Sequence, residues 1–108
     1  SGARGRWFES TRPDQTYFPP MPVRRYSIVG RVQGVGFRYF TRSAARQLGI
    51  VGYVRNLPDG SVEALGEADA RTLEQLEAIL RQGPPGSRVD SLTFEDSVSP
   101  GETEFRIR

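Results

Sequence analysis

The sequence predicts an α+β sandwich in which two helices cover one face of an antiparallel sheet. Two stretches carry apolar residues at helical spacing and end at a glycine, and four β-rich stretches surround them in the order β-α-β-β-α-β. A short β-rich segment follows at the C-terminus. This order is that of the split β-α-β, or ferredoxin-like, fold. The 108 residues suffice for one domain with one hydrophobic core.

Residues 1–22 differ from the rest of the chain. Four prolines interrupt this segment, and its four aromatic residues follow no periodicity. We interpret it as a disordered N-terminal tail, either native or artificial in origin. Residues 23–108 are then the folded domain.

The first strand is predicted over residues 24–31, where a β-rich run ends at Gly30. After a glycine-rich loop, Gly49 closes a helix with apolar residues on one face: Phe37, Phe40, Thr41, Ala44, Ala45 and Leu48.

A hairpin is predicted next, with strands in residues 50–54 and 61–65 joined by a Leu-Pro-Asp-Gly turn. The second helix begins near Ala68 or Asp69 and ends at Gly83, which two prolines follow. Alternating residues 88–98 and the short segment 103–107 predict the last two strands.

The chain contains no cysteine, histidine or lysine, and all 15 of its basic residues are arginine. These absences exclude a disulfide, a cysteine nucleophile, a Cys/His metal site, a histidine base and a lysine Schiff base. Any chemistry must rely on arginine, backbone N–H groups, carboxylates, hydroxyls or amides. The glutamates of the domain are expected on solvated faces, without a chemical role.

The loop between the first strand and the first helix is the most informative segment. Gly34 and Gly36 permit backbone conformations in which successive N–H groups converge on an anion, and the helix N-terminus adds its positive end. Arg38 in the first turn is disfavoured by the helix dipole unless an anion is bound there. The segment matches neither a Walker loop nor a G-x-G-x-x-G motif.

In outline the loop is similar to that of cysteine-dependent phosphatases, except that Val32 stands six residues before Arg38 in place of the nucleophile. Without a covalent nucleophile, water must attack the phosphate directly. Such a site works fast only when the leaving group is good, which favours a mixed carboxylic-phosphoric anhydride over an alkyl phosphate ester.

The loop, written Gly-x-Val-Gln-Gly-Val-x-Phe-Arg, resembles the signature of the acylphosphatases. Further resemblance covers residues 48–56, 59–62 and 105–107, so that it extends over residues 23–108 in the correct order. It implies hydrolysis of acyl phosphates to a carboxylate and phosphate, with no metal and no cofactor.

The resemblance also implies roles for single residues. Arg38 corresponds to the phosphate-binding arginine, Asn56 to the asparagine that orients the attacking water, and Thr41 to a supporting hydroxyl near that asparagine. The phosphate cradle corresponds to the main-chain amides of Gln33, Gly34, Val35, Gly36 and Phe37. Leu57 departs from the family, which usually has threonine after the asparagine. Inorganic phosphate or sulfate is expected to compete with the small-molecule acyl phosphate.

The sequence suggests three other interpretations. RNA binding is suggested by the fold, but the glycine-aromatic segment opens a helix instead of forming a central strand, so no nucleic-acid partner is expected. The chain is alternatively a module of a larger carbamoyl-transfer protein acting on carbamoyl phosphate, or a non-catalytic partner-binding domain. Without a long apolar run, an export signal or cysteine, we expect a monomer in the cytoplasm that does not bind membranes.

Overall fold

Two helices and a five-stranded sheet make up residues 21–108, the part of the chain that the computed structural model describes. The elements are β1 (Val23–Arg31), α1 (Phe37–Gln47), β2 (Val51–Asn56), β3 (Val62–Glu67), α2 (Ala70–Gln82), β4 (Arg88–Asp96) and β5 (Phe105–Ile107). All but the last two residues of the expected tail lie outside the described range. Neither helix in that range is long and apolar enough to cross a membrane.

The sheet has the strand order β4-β1-β3-β2-β5, which confirms the ferredoxin-like prediction and the extra C-terminal strand. β3 pairs antiparallel with both β1 and β2, and β5 joins the far edge of β2 in parallel. Since β1 and β2 both run opposite to β3, they run parallel to each other. Their C-terminal ends therefore lie at the same edge of the sheet.

The hydrophobic core lies between the helices and one face of the sheet. Alternate residues of β1, Tyr26 and Ile28, are fully buried there, as is Thr41 of α1. The predicted helical periodicity is confirmed by the buried residues of both helices: Phe37, Thr41, Ala44, Ala45, Leu73, Leu76 and Leu80.

The two helices begin differently. The Asp69 carboxylate caps α2 by accepting a hydrogen bond from the Thr72 N–H at 2.8 Å. This bond lowers the pKa of Asp69 below its ordinary value, so the stabilisation from the cap is lost as the pH falls through the lowered pKa of the folded state. α1 begins at Gly36 and has no side-chain cap.

The expectation that the glutamates are solvated is wrong for Glu63, Glu77 and Glu102, whose side chains are only 12–14% exposed. Glu77 of α2 accepts hydrogen bonds from the Tyr26 hydroxyl at 2.8 Å and from Arg24 at 2.6 Å. Burial and the neighbouring Glu77 raise the pKa of Tyr26. Sequence periodicity could not reveal these contacts, because they join a helix to strand residues 51 and 53 positions away.

Replacing Glu77 with alanine is expected to lower the free energy of unfolding by about 1–3 kcal/mol, because the buried Tyr26 hydroxyl loses its acceptor. Urea denaturation measures the change. Glu74→Ala, at an exposed position of the same helix, is the control and should change stability by less than about 0.5 kcal/mol. Equal effects of the two substitutions would contradict a stabilising role for Glu77.

Candidate active site

The ends of β1 and β2 bring two distant segments to one edge of the sheet. β1 ends at Arg31 and leads into the loop of residues 32–36, while β2 ends at Asn56. Asn56 pairs with Val62 of β3, and Ile28 of β1 pairs with the same residue from the other side. The pairing of β1 and β2 with the same residue of β3 therefore fixes the position of the loop relative to the asparagine.

The backbone of the loop has the conformation that its glycines permit. Gly34 and Gly36 have φ values of 74° and 78°, in the left-handed region that side-chain-bearing residues rarely adopt. A Cβ atom built on either glycine would have no atom within 4 Å, so the backbone angle and not crowding requires glycine. Loop backbone of this kind forms concavities that bind anions through N–H groups.

The N-terminus of α1 offers free donors beside this loop. The first intrahelical bond runs from the Phe40 N–H to the Gly36 carbonyl at 3.0 Å, so the N–H groups of Phe37, Arg38 and Tyr39 precede the helical ladder. No side chain in the described part of the chain caps them, and the first turn contains no acidic residue. An anion bound here would satisfy these donors and the positive end of the helix.

A small cavity of about 130 Å³ joins the loop to Asn56. It is lined by Val32, Gly34, Gly36, Phe37, Arg38, Tyr39 and Asn56. Within residues 21–108, Arg38 forms no ion pair with a carboxylate, unlike seven of the other arginines there. As far as the described residues show, the cavity therefore contains a guanidinium without an acidic partner beside helix N–H groups that lie outside the helical ladder.

Asn56 contributes the one buried polar side-chain atom of the described residues that has no hydrogen-bond partner, its Oδ1. Leaving a buried acceptor unpaired costs about 1–3 kcal/mol in a folded protein. Native structures pair almost all of their buried polar groups. An unpaired acceptor that borders a cavity therefore indicates that a hydrogen-bond donor, such as water or a ligand, binds there.

Gln33 connects the loop to the turn that follows Asn56. Its side-chain Nε2 donates to the carbonyl oxygens of Leu57 at 2.8 Å and Ser61 at 2.9 Å. The same turn is closed by the Leu57 N–H, which donates to the Ser61 carbonyl at 2.9 Å. Both amide hydrogens of Gln33 thus hold the glycine loop against the segment that carries Asn56.

Two apolar side chains of the loop region are directed to the core. Phe37 is 1% exposed, and Val35 packs against the core cluster. Any contact of these residues with an anion must therefore come from their main-chain N–H groups. Their side chains hold the loop on the sheet.

Comparison with known proteins assigns the family. Residues 24–107 match the family model described as acylphosphatase. The chain belongs to the acylphosphatase family. It is therefore an enzyme of the class that hydrolyses acyl phosphates, and the resemblance seen in its sequence is confirmed.

Individual acylphosphatases agree with this assignment. The chain is 51% identical over 86 residues to the acylphosphatase of Koribacter versatilis, covering 79% of this chain and 78% of that protein. It matches the crystal structure of acylphosphatase from Bacillus subtilis with a TM-score of 0.78 and 37% identity, over 82% of this chain and 99% of the other.

A third match concerns a longer protein. The crystal structure of HypF from T. kodakarensis has a TM-score of 0.73 and 29% identity, over 82% of this chain but 12% of that one. The acylphosphatase fold thus occurs as almost a whole chain and as a small part of a larger one. The alternative that this chain is a module of a larger protein stays open.

The residues implied by the acylphosphatase resemblance are distributed around the cavity. Arg38, Asn56, Gly34, Gly36 and Phe37 line it, whereas Gln33 and Val35 belong to the loop without lining the cavity. Their catalytic and binding roles stay predictions.

Thr41 belongs to the buried face of α1. Its hydroxyl is fully buried and donates to the Phe37 carbonyl at 2.8 Å, whereas the Oδ1 of Asn56 has no partner. The predicted support for Asn56 from this hydroxyl is not a direct hydrogen bond to Oδ1 in the structure. Sequence position alone could not show that the hydroxyl would bond within its own helix.

Sequence reasoning missed Tyr39, which lines the cavity although it is 62% exposed. Helical spacing contained the signal, since a core face defined by Phe37, Phe40 and Thr41 places Tyr39 on the outer side.

A larger concavity of about 430 Å³ lies elsewhere, lined in part by Arg25, Glu63 and Glu95. Its charged groups pair with one another, so it lacks the free donors of the acylphosphatase loop.

Replacing Gln33 with alanine is expected to remove two hydrogen bonds that hold the loop against the β2–β3 turn. Stability should fall by about 1–3 kcal/mol in urea denaturation, because two carbonyl oxygens lose a shared donor. Gln47→Ala, at the exposed end of α1, is the control. Gln33→Glu is expected to be worse than Gln33→Ala, since a carboxylate would face two acceptors. A Gln33→Ala variant as stable as the control would contradict the bridging role.

Proposed function

We propose that this chain hydrolyses acyl phosphates to a carboxylate and inorganic phosphate by direct attack of a water molecule that Asn56 orients. In this proposal Arg38 and the main-chain N–H groups of residues 33–37 hold the phosphate. The observation that carries it is the cavity shared by the glycine loop, the orphaned Oδ1 of Asn56 and Arg38, which has no acidic partner within residues 21–108. Family membership supports the reaction class.

The cradle binds the phosphoryl group through donors of two kinds. The guanidinium of Arg38 presents a planar fork that matches two phosphate oxygens, and the loop and helix N–H groups contact the others. As the bond to the leaving carboxylate breaks, charge is spread over these oxygens. Donors that are already oriented stabilise that charge without reorganisation, which is the main source of rate enhancement in such a site.

Asn56 positions the nucleophile. Its buried Oδ1 accepts a hydrogen bond from water, which directs a water lone pair towards phosphorus. A new oxygen–phosphorus bond forms while the bond from phosphorus to the acyl oxygen breaks, and the carboxylate leaves with that electron pair. An amide cannot remove the water proton at neutral pH, so a phosphate oxygen accepts it.

The reaction in this proposal needs no metal or cofactor, because a carboxylate is a good leaving group without further activation. The sequence lacks the cysteine and histidine ligands on which zinc and other transition-metal sites commonly depend. We also propose that the enzyme is a monomer, because the loop, Arg38 and Asn56 of a single chain suffice to line the cavity. We also propose a cytoplasmic location, since a chain without cysteine needs no disulfide to fold.

Replacing Arg38 with alanine is expected to lower kcat/KM for an aryl acyl phosphate by about 100-fold or more, since the guanidinium stabilises transition-state charge. The assay measures release of inorganic phosphate with EDTA present, which should not change the rate. Arg38→Lys is expected to recover only part of the activity, because a lysine ammonium cannot bind two oxygens in a fork. Arg71→Ala, at the start of α2, is the matched control. Full activity of Arg38→Ala would rule out the assigned role.

Replacing Asn56 with alanine is expected to reduce kcat by about 100-fold while competitive inhibition by inorganic phosphate or sulfate is retained, because the asparagine orients water and not the phosphate. Stability in urea should stay within about 0.5 kcal/mol of the parent or rise, since the Oδ1 loses no hydrogen bond. A large loss of phosphate affinity would instead assign Asn56 to binding.

A further inference from the structure

We propose that Gln33 is a positioning residue for the hydrolysis, and that its side chain sets the place of Asn56 relative to the bound phosphate. The inference rests on the proposed function, in which Asn56 orients the attacking water. Beyond stabilising the loop, Gln33 would thereby control the rate of the chemical step. The main chain of Gln33 belongs to the proposed phosphate cradle, so a single residue would connect the two halves of the site.

The end of β2 that carries Asn56 is paired on one side only. β5 joins β2 as far as Val54, whose carbonyl oxygen accepts a hydrogen bond from the Arg108 N–H at 2.9 Å. Beyond that point, among the described residues, β2 pairs with β3 alone, and its last pair is that of Asn56 with Val62. Element ends with few neighbours open more easily than interior segments. The place of Asn56 therefore depends on the turn that follows it.

The hydrogen bonds of this turn converge on Ser61, which is 5% exposed. Its carbonyl oxygen accepts from the Leu57 N–H at 2.9 Å and from the Gln33 Nε2 at 2.9 Å. Its own N–H and hydroxyl donate to the Asp59 Oδ1 at 2.9 Å and 2.6 Å. Gln33 enters this network from the loop between β1 and α1 and also donates to the Leu57 carbonyl at 2.8 Å. It thus fixes both ends of the turn to the loop.

The two acceptors require a donor group with two hydrogens. Both are main-chain carbonyl oxygens, so the amide nitrogen of Gln33 must face them, and each of its hydrogens meets one oxygen. Methionine has a side chain of the same length but no N–H group, so it fills the space and forms neither bond. Asparagine has the amide but is shorter by one methylene. The glutamine amide therefore holds the turn at a fixed distance from the loop backbone.

The loop itself has contacts that keep it in place without this amide. Val35 packs against the core cluster, and Phe37 is 1% exposed. Loss of the Gln33 amide should therefore displace the turn and Asn56 more than the phosphate cradle. The rate depends steeply on the alignment of the reacting atoms, since a misplacement of about 1 Å costs about 100-fold. We therefore expect kcat to fall while phosphate affinity is retained.

A double-mutant cycle between Gln33→Met and Asn56→Ala tests the inference. In the parent, Gln33→Met is expected to lower kcat for an aryl acyl phosphate by about 10-fold or more, while competitive inhibition by inorganic phosphate stays within about threefold. Asn56→Ala has no water-orienting amide to misplace, so in that variant the same substitution should change kcat by less than about twofold. Rates are corrected for spontaneous hydrolysis and measured where urea denaturation shows each variant to be folded.

Gln47→Met is the matched control, because it makes the same chemical change at an exposed residue at the C-terminal end of α1. It should change neither kcat nor phosphate inhibition. Gln33→Asn is a second variant, which keeps the inference testable if Gln33→Met does not fold. Its shorter amide cannot reach both carbonyl oxygens, so kcat should fall by about threefold or more in the parent and by less than about twofold in Asn56→Ala.

Three results would overturn the positioning role and leave the proposed function intact. An unchanged kcat in the Gln33 variants would make the bridge purely structural. An equal fractional loss of kcat in the parent and in Asn56→Ala would show that Gln33 acts independently of Asn56. Loss of phosphate affinity with kcat retained would assign the side chain to the cradle. If instead the parent releases no phosphate from acyl phosphates, or Asn56→Ala is fully active, the proposed function fails and the positioning role fails with it.

Discussion

The site depends on the parallel course of β1 and β2 on either side of β3. This register brings the loop after β1 and Asn56 at the end of β2 to one edge of the sheet. Side chains alternate between the two faces of a strand, so a one-residue slip of β2 would replace Asn56 with its neighbour Arg55 at the cavity. Gln33 reinforces the register by bonding the loop to the turn that follows Asn56. The geometry of the site is therefore a property of the sheet as a whole.

Several groups that lack the usual stabilising partners lie together at this edge of the sheet. Within residues 21–108, α1 lacks the side-chain cap that α2 has, Arg38 lacks an ion pair such as those of Arg24 and Arg55, and the Oδ1 of Asn56 lacks a hydrogen bond. Away from the cavity, acidic groups such as Glu77 are buried together with their donors. Such a concentration of unsatisfied groups is typical of functional sites, because each group is reserved for a ligand at a cost in stability.

In the proposed function, different parts of the loop serve packing and binding. Val35 and Phe37 direct apolar side chains to the core, and the left-handed backbone at Gly34 and Gly36 leaves main-chain donors at the surface. An anion site can thus be built with a single charged side chain, Arg38. This explains why a segment rich in glycine and apolar residues precedes a positively charged helix that contains no acid.

Local sequence determined the elements and the loop. Helical spacing in α1 and α2, glycine at the helix ends and the glycines of the loop predicted the fold class, because these signals act within a few residues of the chain. The resemblance of the loop to the acylphosphatases pointed to Arg38 and Asn56. Only the tertiary structure decided how these groups are placed. The Oδ1 of Asn56 is orphaned, the Gln33 side chain bridges to the turn after β2, the Thr41 hydroxyl bonds within its own helix, and the Tyr39 ring is exposed. A hydrogen bond depends on where distant segments meet, and no local pattern records that distance.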